Sequence, residues 1–292
     1  STCRLRRIGT RGDDYEACDF QLDTHTDLDP SRDSSYLLGH KTQPISLTMK
    51  SIIGVIPARY ASSRFPGKPL VDIQGMSMIE RVYRQCEQAQ VLQKVIVATD
   101  DRRILEHVQM FGGNVQMTAD THISGTERLA EVAEKAIADC YINIQGDEPF
   151  IHPEQIEQVG QLLLAGAQIA TLATETEDLA ILQSPHTAKV VLNQQQEALY
   201  FSRAMIPHPS RAKEKFPYYQ HVGIYGFQRD VLLQVPVMSP SYAEQAESLE
   251  QLRWLAHGVP IKVGITTHRS VGIDTPEDLT RLLSQMRRGD EP

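Results

Sequence analysis

Short apolar runs alternate along this chain with longer stretches of helical periodicity. The first run, 52–56, reads Ile-Ile-Gly-Val-Ile and stops at Pro57, the pattern of a strand buried on both faces. Within 76–90, Met78, Ile79, Val82, Tyr83 and Cys86 fall on one helical face. A second run, 95–99, ends at Asp100 and Asp101, and Asp101 can cap a helix reaching Phe111. Gly112 and Gly113 stop that helix, and 114–117 reads as a short strand. Ser124 opens the next helix, with Glu127 completing a capping box. Then come a strand at 141–145, an amphipathic helix at 153–165 with Ile156, Val159, Leu162 and Leu163 inward, and a strand at 169–174. This alternation predicts an α/β fold with a doubly wound, mostly parallel sheet.

Beyond it the pattern changes. Runs at 189–192 and 198–202, separated by turn-like polar residues, read as a hairpin, and 218–227 adds a further strand. A region of about 185–230 is therefore expected to form an embedded, strand-rich lobe. A helix at 247–254 with Leu249, Leu252 and Leu255 inward, a strand at 261–265 and a helix opening at Pro276 close the chain.

Residues 1–49 share none of this periodicity. They are rich in Asp, Arg, Thr and Ser and read as a disordered extension, an expression leader or an over-called start, with Met49-Lys50 just ahead of the first strand. The alternative is a docking arm carrying Tyr36, Leu37 and Leu38. The domain proper is expected to span 50–292. A net charge of −8 argues against a protein that coats nucleic acid or anionic membrane. No apolar stretch approaches the roughly 18 residues of a membrane span. Cys3, Cys18, Cys86 and Cys140 form no Cys-x-x-Cys pair, which speaks against structural zinc and for a reducing cytosol.

The candidate chemistry begins directly after the first strand. Ala58, Arg59, Ser62, Arg64 and Lys68 lie in a loop whose other members are mostly small or proline. Small residues let backbone amides approach a ligand, and cations at the carboxyl end of a first strand suit a polyanion, best a triphosphate. A solvated basic loop would use the same residue types. The Walker pattern is excluded, because Gly67-Lys68 is followed by Pro69 and no glycine stands at the required upstream position. At 145–149, Gln-Gly-Asp-Glu-Pro leaves a strand. A carboxylate there, facing a phosphate loop, suggests Mg²⁺, although Gly, Asp and Pro also make ordinary turns. Asp274, followed by Thr275 and Pro276, could be a metal ligand or merely a helix cap. Glu250 and Gln251 share the polar edge of the 247–254 helix, which could equally be solvated.

The loop 57–69, Pro-Ala-Arg-Tyr-Ala-Ser-Ser-Arg-Phe-Pro-Gly-Lys-Pro, resembles the signature of the sugar nucleotidyltransferases, and most of all the 3-deoxy-manno-octulosonate cytidylyltransferase family. Four further segments match that family in order. They are 124–129 (Ser-Gly-Thr-Glu-Arg-Leu), 145–149, 221–227 (His-Val-Gly-Ile-Tyr-Gly-Phe, with Phe227 where the family has Tyr) and 272–279 (Gly-Ile-Asp-Thr-Pro-Glu-Asp-Leu). Residues 200–203 resemble the family's segment carrying a sugar-carboxylate arginine. The resemblance covers 51 to about 287 and implies a Rossmann-like nucleotidyltransferase. The expected reaction is CTP plus the acidic eight-carbon sugar 3-deoxy-D-manno-octulosonate (Kdo) giving CMP-Kdo and pyrophosphate, for lipopolysaccharide synthesis. It assigns Ala58, Arg59, Ser62, Arg64, Lys68 and Arg128 to the nucleotide, and Gln145, Arg203, His221, Tyr225, Glu250 and Gln251 to the sugar. Asp147 and Asp274 would hold Mg²⁺, with Lys68 and Arg59 also catalytic. The strand-rich lobe would bind sugar and pair subunits in a cytoplasmic homodimer. An 8-amino-Kdo or sialic acid enzyme, or a non-catalytic nucleotide sensor, are the alternatives.

Overall fold

The computed structural model describes residues 50–62, 64–210, 216–269 and 272–288. The readings made of 1–49 lie outside the described residues. In chain order the elements are β1 (Ile52–Ala58), a small ribbon of β2 (Asp72–Ile73) and β3 (Met76–Ser77), α1 (Met78–Glu87), β4 (Lys94–Thr99), α2 (Arg102–Met110) and β5 (Val115–Met117). Next come α3 (Gly125–Lys135), β6 (Cys140–Asn143), α4 (Pro153–Leu164), β7 (Ile169–Thr176), α5 (Leu179–Gln183), β8 (Lys189–Leu192), β9 (Ala198–Ser202) and β10 (Tyr218–Gln228). The chain closes with α6 (Arg229–Leu232), α7 (Tyr242–Glu247), α8 (Gln251–Ala256), β11 (Ile261–Ile265) and α9 (Pro276–Arg288).

The main sheet runs β11-β7-β10-β6-β1-β4-β5, and β8 leaves β10 to pair with β9. Pairs β6-β1, β1-β4, β4-β5 and β11-β7 are parallel, as the alternation of strand and helix predicts. β10 is the exception, antiparallel to both β6 and β7. Gly226 lets it lie there, because a Cβ would come within 2.6 Å of Val159 and 2.7 Å of Leu163 on the helix above.

β1 shows why a continuous apolar run marks a central strand. Ile53 and Val55 enter a core with Leu129, Val132 and Trp254, whereas Ile52 and Ile56 enter another with Ile79, Val82, Ile104 and Ile156. Helices thus cover both faces. β1 also continues through Pro57 to Ala58 rather than stopping at the proline. Val55 O accepts from Ile144 N, so Pro57, two residues on, points to the same side. β6 has ended there at Asn143, and the missing N–H costs no ladder bond.

Two further expectations need correction. The 247–254 helix is broken: α7 ends at Glu247, Ser248 takes a left-handed conformation (φ 52°), and α8 begins at Gln251. The capping box at 124–127 is half formed. Ser124 Oγ accepts from Glu127 N at 3.1 Å, but the Glu127 carboxylate reaches past Ser124 to Ile123 N at 2.9 Å.

Candidate active site

A cavity of about 240 Å³ opens beside the carboxyl ends of β1 and β6. Such ends are where open α/β sheets receive ligands. The loop after β1 forms one wall. Gly67 is left-handed (φ 71°), its N–H bonds Tyr60 O at 3.0 Å, and a Cβ would crowd the Tyr60 ring at 3.1 Å. The next residues, Lys68–Leu70, make one 3-10 turn with Pro69 buried. This turn aims Lys68 into the cavity.

Lys68 Nζ donates to Asp147 Oδ2 at 2.7 Å and to Asp274 Oδ1 at 3.2 Å. Arg64 adds a fork onto Asp274, at 3.2 and 3.3 Å. Asp147 sits in the turn after β6, and Asp274 in the connection between β11 and α9. Asp274 does not cap α9 with its side chain. Thr275 Oγ1 accepts from Asp278 N at 3.2 Å, and Asp278 accepts the N–H groups of Thr275 and Asp274 at 3.0 and 3.2 Å. The capping alternative for the Asp274 carboxylate is therefore overturned, because Asp278 satisfies the helix start and leaves that carboxylate to the cavity.

Ala58, Arg59, Ser62, Arg64, Lys68, Arg128, Gln145, Asp147 and Asp274 all line this cavity. Arg128 is buried, and its guanidinium meets Thr118, Ala119 O at 3.3 Å and Asp100 at 3.3 Å. It forms wall with its charge already paired. Gln145 spends one N–H on Gly223 O at 3.0 Å.

The other five sequence candidates lie outside the lining. Arg203 directs its whole fork at main-chain carbonyls, those of Glu247 (2.7 Å), Pro185 (2.9 Å) and Ser248 (3.2 Å). Buried Lys189 in turn donates to the Arg203 carbonyl and to those of Ser184 and Thr187, and burial lowers its pKa. Glu250 is not on a solvated face. Its carboxylate accepts from Ser124 Oγ (3.0 Å) and Thr126 Oγ1 (2.8 Å), and burial raises its pKa against those two bonds. Gln251 beside it is buried. Ser124 lines the cavity, so Glu250 lies one residue behind its wall.

His221 and Tyr225 follow on β10. The ring of His221 packs on Phe201 and Tyr225, and burial lowers its pKa to about 3. Thr171 Oγ1 lies 3.0 Å from His221 Nε2 and 2.7 Å from Ile224 O. A carbonyl can only accept, so the threonine donates to Ile224 and Nε2–H donates to the threonine, leaving Nδ1 unprotonated. Tyr225 OH, Trp254 Nε1 and Asn143 Oδ1 are buried without a hydrogen-bond partner among the described residues. Tyr225 pairs across the strands with Asn143, and its ring centroid is 5.0 Å from that of Trp254. Buried polar atoms normally find partners, so these three stand out from the rest of the core.

The sequence reading missed His122 and Asn143. His122 lines the cavity and is held by Glu131 at 2.6 Å. Asn143 ends β6 inside an apolar run, where nothing in the pattern separates a functional amide from a structural one.

A doubly wound sheet with a basic loop after its first strand and two carboxylates across from it defines a nucleotidyltransferase. The cytidylyltransferase family model matches residues 53–262. Similar proteins include the 3-deoxy-manno-octulosonate cytidylyltransferase of Parabacteroides distasonis, 49% identical and aligned over 81% of this chain and 98% of its own. That of Escherichia coli is 47% identical over 82% and 97%. A solved structure of CMP:2-keto-3-deoxy-manno-octonic acid synthetase complexed with CTP superposes with a TM-score of 0.79 at 45% identity, covering 82% of this chain and all of that one. The chain belongs to the 3-deoxy-manno-octulosonate cytidylyltransferase family.

Proposed function

We propose that residues 50–292 transfer CMP from CTP to the anomeric hydroxyl of Kdo, releasing pyrophosphate. The observation that carries this reading is the meeting of Asp147, Asp274, Lys68 and Arg64 at one end of the cavity. The names of the similar proteins, and the CTP in one of their structures, support the choice of nucleotide and sugar.

Two carboxylates that share one ammonium are a hard-oxygen donor set already arranged around a cation, and this fits Mg²⁺. Bound there, Mg²⁺ supplies Lewis acidity at the α-phosphate and lowers the pKa of the sugar hydroxyl. The protein's own groups do the rest. Arg59, Arg64 and Lys68 hold the triphosphate and offset charge on the departing pyrophosphate, an electrostatic and positional contribution. Ala58, Ser62 and Arg128 complete the nucleotide wall.

The acceptor sugar lies beyond Gln145, toward Tyr225, whose buried hydroxyl lacks a partner among the described residues, with His221, Glu250 and Gln251 around it. Arg203 supports that region by anchoring the Pro185 and Ser248 segments. The hairpin of β8 and β9 exposes Leu199 and Tyr200, which suits pairing with a second copy; the family resemblance implies a cytoplasmic homodimer. No helix among the described residues is long and apolar enough to cross a membrane.

Pyrophosphate release, assayed with each of the four nucleoside triphosphates across Kdo, 8-amino-Kdo and sialic acid, tests the proposal. Turnover with CTP and Kdo is expected to exceed the other combinations. Preference for another acidic sugar would shift the acceptor, and no turnover with any would favour a nucleotide-sensing module.

A further inference from the structure

Away from the cavity, His152, Glu154 and His268 bring two imidazoles and a carboxylate together, one ligand atom from each lying within 4.8 Å of the others. We propose that these three residues bind a first-row divalent transition metal of the zinc type, at a site separate from Asp147 and Asp274.

The geometry is built rather than incidental. The two rings stack with centroids 3.7 Å apart and planes 8° from parallel. His268 Nε2 lies 2.7 Å from Glu154 Oε2. Buried Gln155 clamps both histidine backbones: its Oε1 accepts from His152 N at 3.1 Å, and its Nε2 donates to His268 O at 3.2 Å. His268 N is further tied to Thr266 Oγ1 at 3.2 Å. His152 Nδ1 accepts the Glu154 N–H at 3.2 Å as the cap of α4, which leaves Nε2 as its free donor atom.

The donor set selects the metal. Imidazole suits zinc and its neighbours, whereas Mg²⁺ asks for oxygen. Two His and one Glu, with an open side to solvent, is a known zinc combination that keeps one position for water. Glu154, in the first turn of α4, supplies the negative charge that lets a cation sit near a helix N-terminus, which otherwise favours anions. A metal at about 2.0–2.1 Å from each nitrogen requires the stacked rings to tilt apart, a side-chain movement that leaves the Gln155 clamp intact. Bound metal would tie the segment after β11 to the start of α4.

The test uses the full chain stripped of metal, with Co²⁺ as spectroscopic probe and Zn²⁺ titrated calorimetrically. Wild type is expected to bind one equivalent with visible ligand-field bands that His268→Gln and Glu154→Gln each weaken by about 10-fold or more. Asp147→Asn and Asp274→Asn should leave those bands unchanged. Metal held elsewhere on the chain is common to all variants, so the difference is what counts. His268→Gln keeps the backbone bonds to Gln155 and Thr266, and its melting temperature should match wild type. Equal affinity and spectra in wild type and His268→Gln would overturn the proposal, leaving a proton-bridged His268–Glu154 pair. Loss of the bands in Asp147→Asn instead would overturn it as well, by placing the metal in the cavity.

Discussion

Asp147 and Asp274, 127 positions apart in sequence (274 − 147), accept hydrogen bonds from the same ammonium, that of Lys68. Their main chains are joined too, Ile273 N donating to Asp147 O at 2.9 Å. The turn after β6 and the connection after β11 are thereby one construction, and the two carboxylates act as a pair.

Asp147→Asn and Asp274→Asn should each lower kcat by on the order of 10²-fold, the scale of one strong electrostatic element. The double variant should be little worse than either single, since residues acting as a unit are not additive. Asp274→Asn should melt near wild type, because Thr275 and Asp278 cap α9. Steady-state kinetics and thermal melts of the three variants check this, and near-normal turnover in Asp274→Asn would remove that carboxylate from the chemistry.

Lys68 Nζ sits between the two carboxylates proposed to hold Mg²⁺. Lys68→Met should bind Mg²⁺ more tightly than wild type in the absence of CTP, because two facing carboxylates lose their resident cation. Turnover should nevertheless fall, since the triphosphate loses a cation. Calorimetric Mg²⁺ titration of the free protein decides it, and weaker binding in Lys68→Met would contradict the arrangement.

Arg203→Lys should destabilise the fold by about 1 kcal/mol, the net worth of an intramolecular hydrogen bond, because two of the three carbonyls that Arg203 meets are exposed to water. Lysine keeps the charge but cannot reach three diverging carbonyls as the planar fork does. Denaturant unfolding measures the loss. Unchanged stability combined with a raised KM for sugar would instead make Arg203 a direct sugar ligand.

His221 gives stability a pH dependence of fixed sign. An unfolded chain protonates it near 6.5, whereas burial lowers the folded value to about 3. Its contribution is complete above pH 6.5 and is lost progressively as pH falls toward 3. His221→Gln keeps an N–H for Thr171 without titrating, and should flatten the stability change between pH 7 and pH 5. Urea denaturation of both proteins at the two pH values tests it, and parallel losses would show that His221 is not the titrating group.

Much of the fold was legible because burial imposes periodicity. The buried face of α1 is the set Met78, Ile79, Val82, Tyr83 and Cys86 expected from spacing, and β1 reads as central because both its faces are covered. The misreadings have local causes. Pro57 looked like a stop, yet the side on which an N–H is missing faces no strand. The 247–254 segment has helical spacing throughout, and the left-handed Ser248 that breaks it carries no glycine signal.

By itself the sequence determined the alternating α/β order, the loop of Arg59, Arg64 and Lys68, and the carboxylates at strand ends. Propensity, period and turn chemistry act over a few residues and leave their mark in the order of residue types. Only the tertiary structure decided who meets whom. It put Lys68 between Asp147 and Asp274, gave Arg203 three carbonyls, set Glu250 against Ser124 and Thr126, and stacked His152 on His268. These pairings depend on where strands distant in sequence end at one edge of the sheet and which loops pack there. That is settled by packing of the whole core, to which every element contributes and which no local pattern encodes.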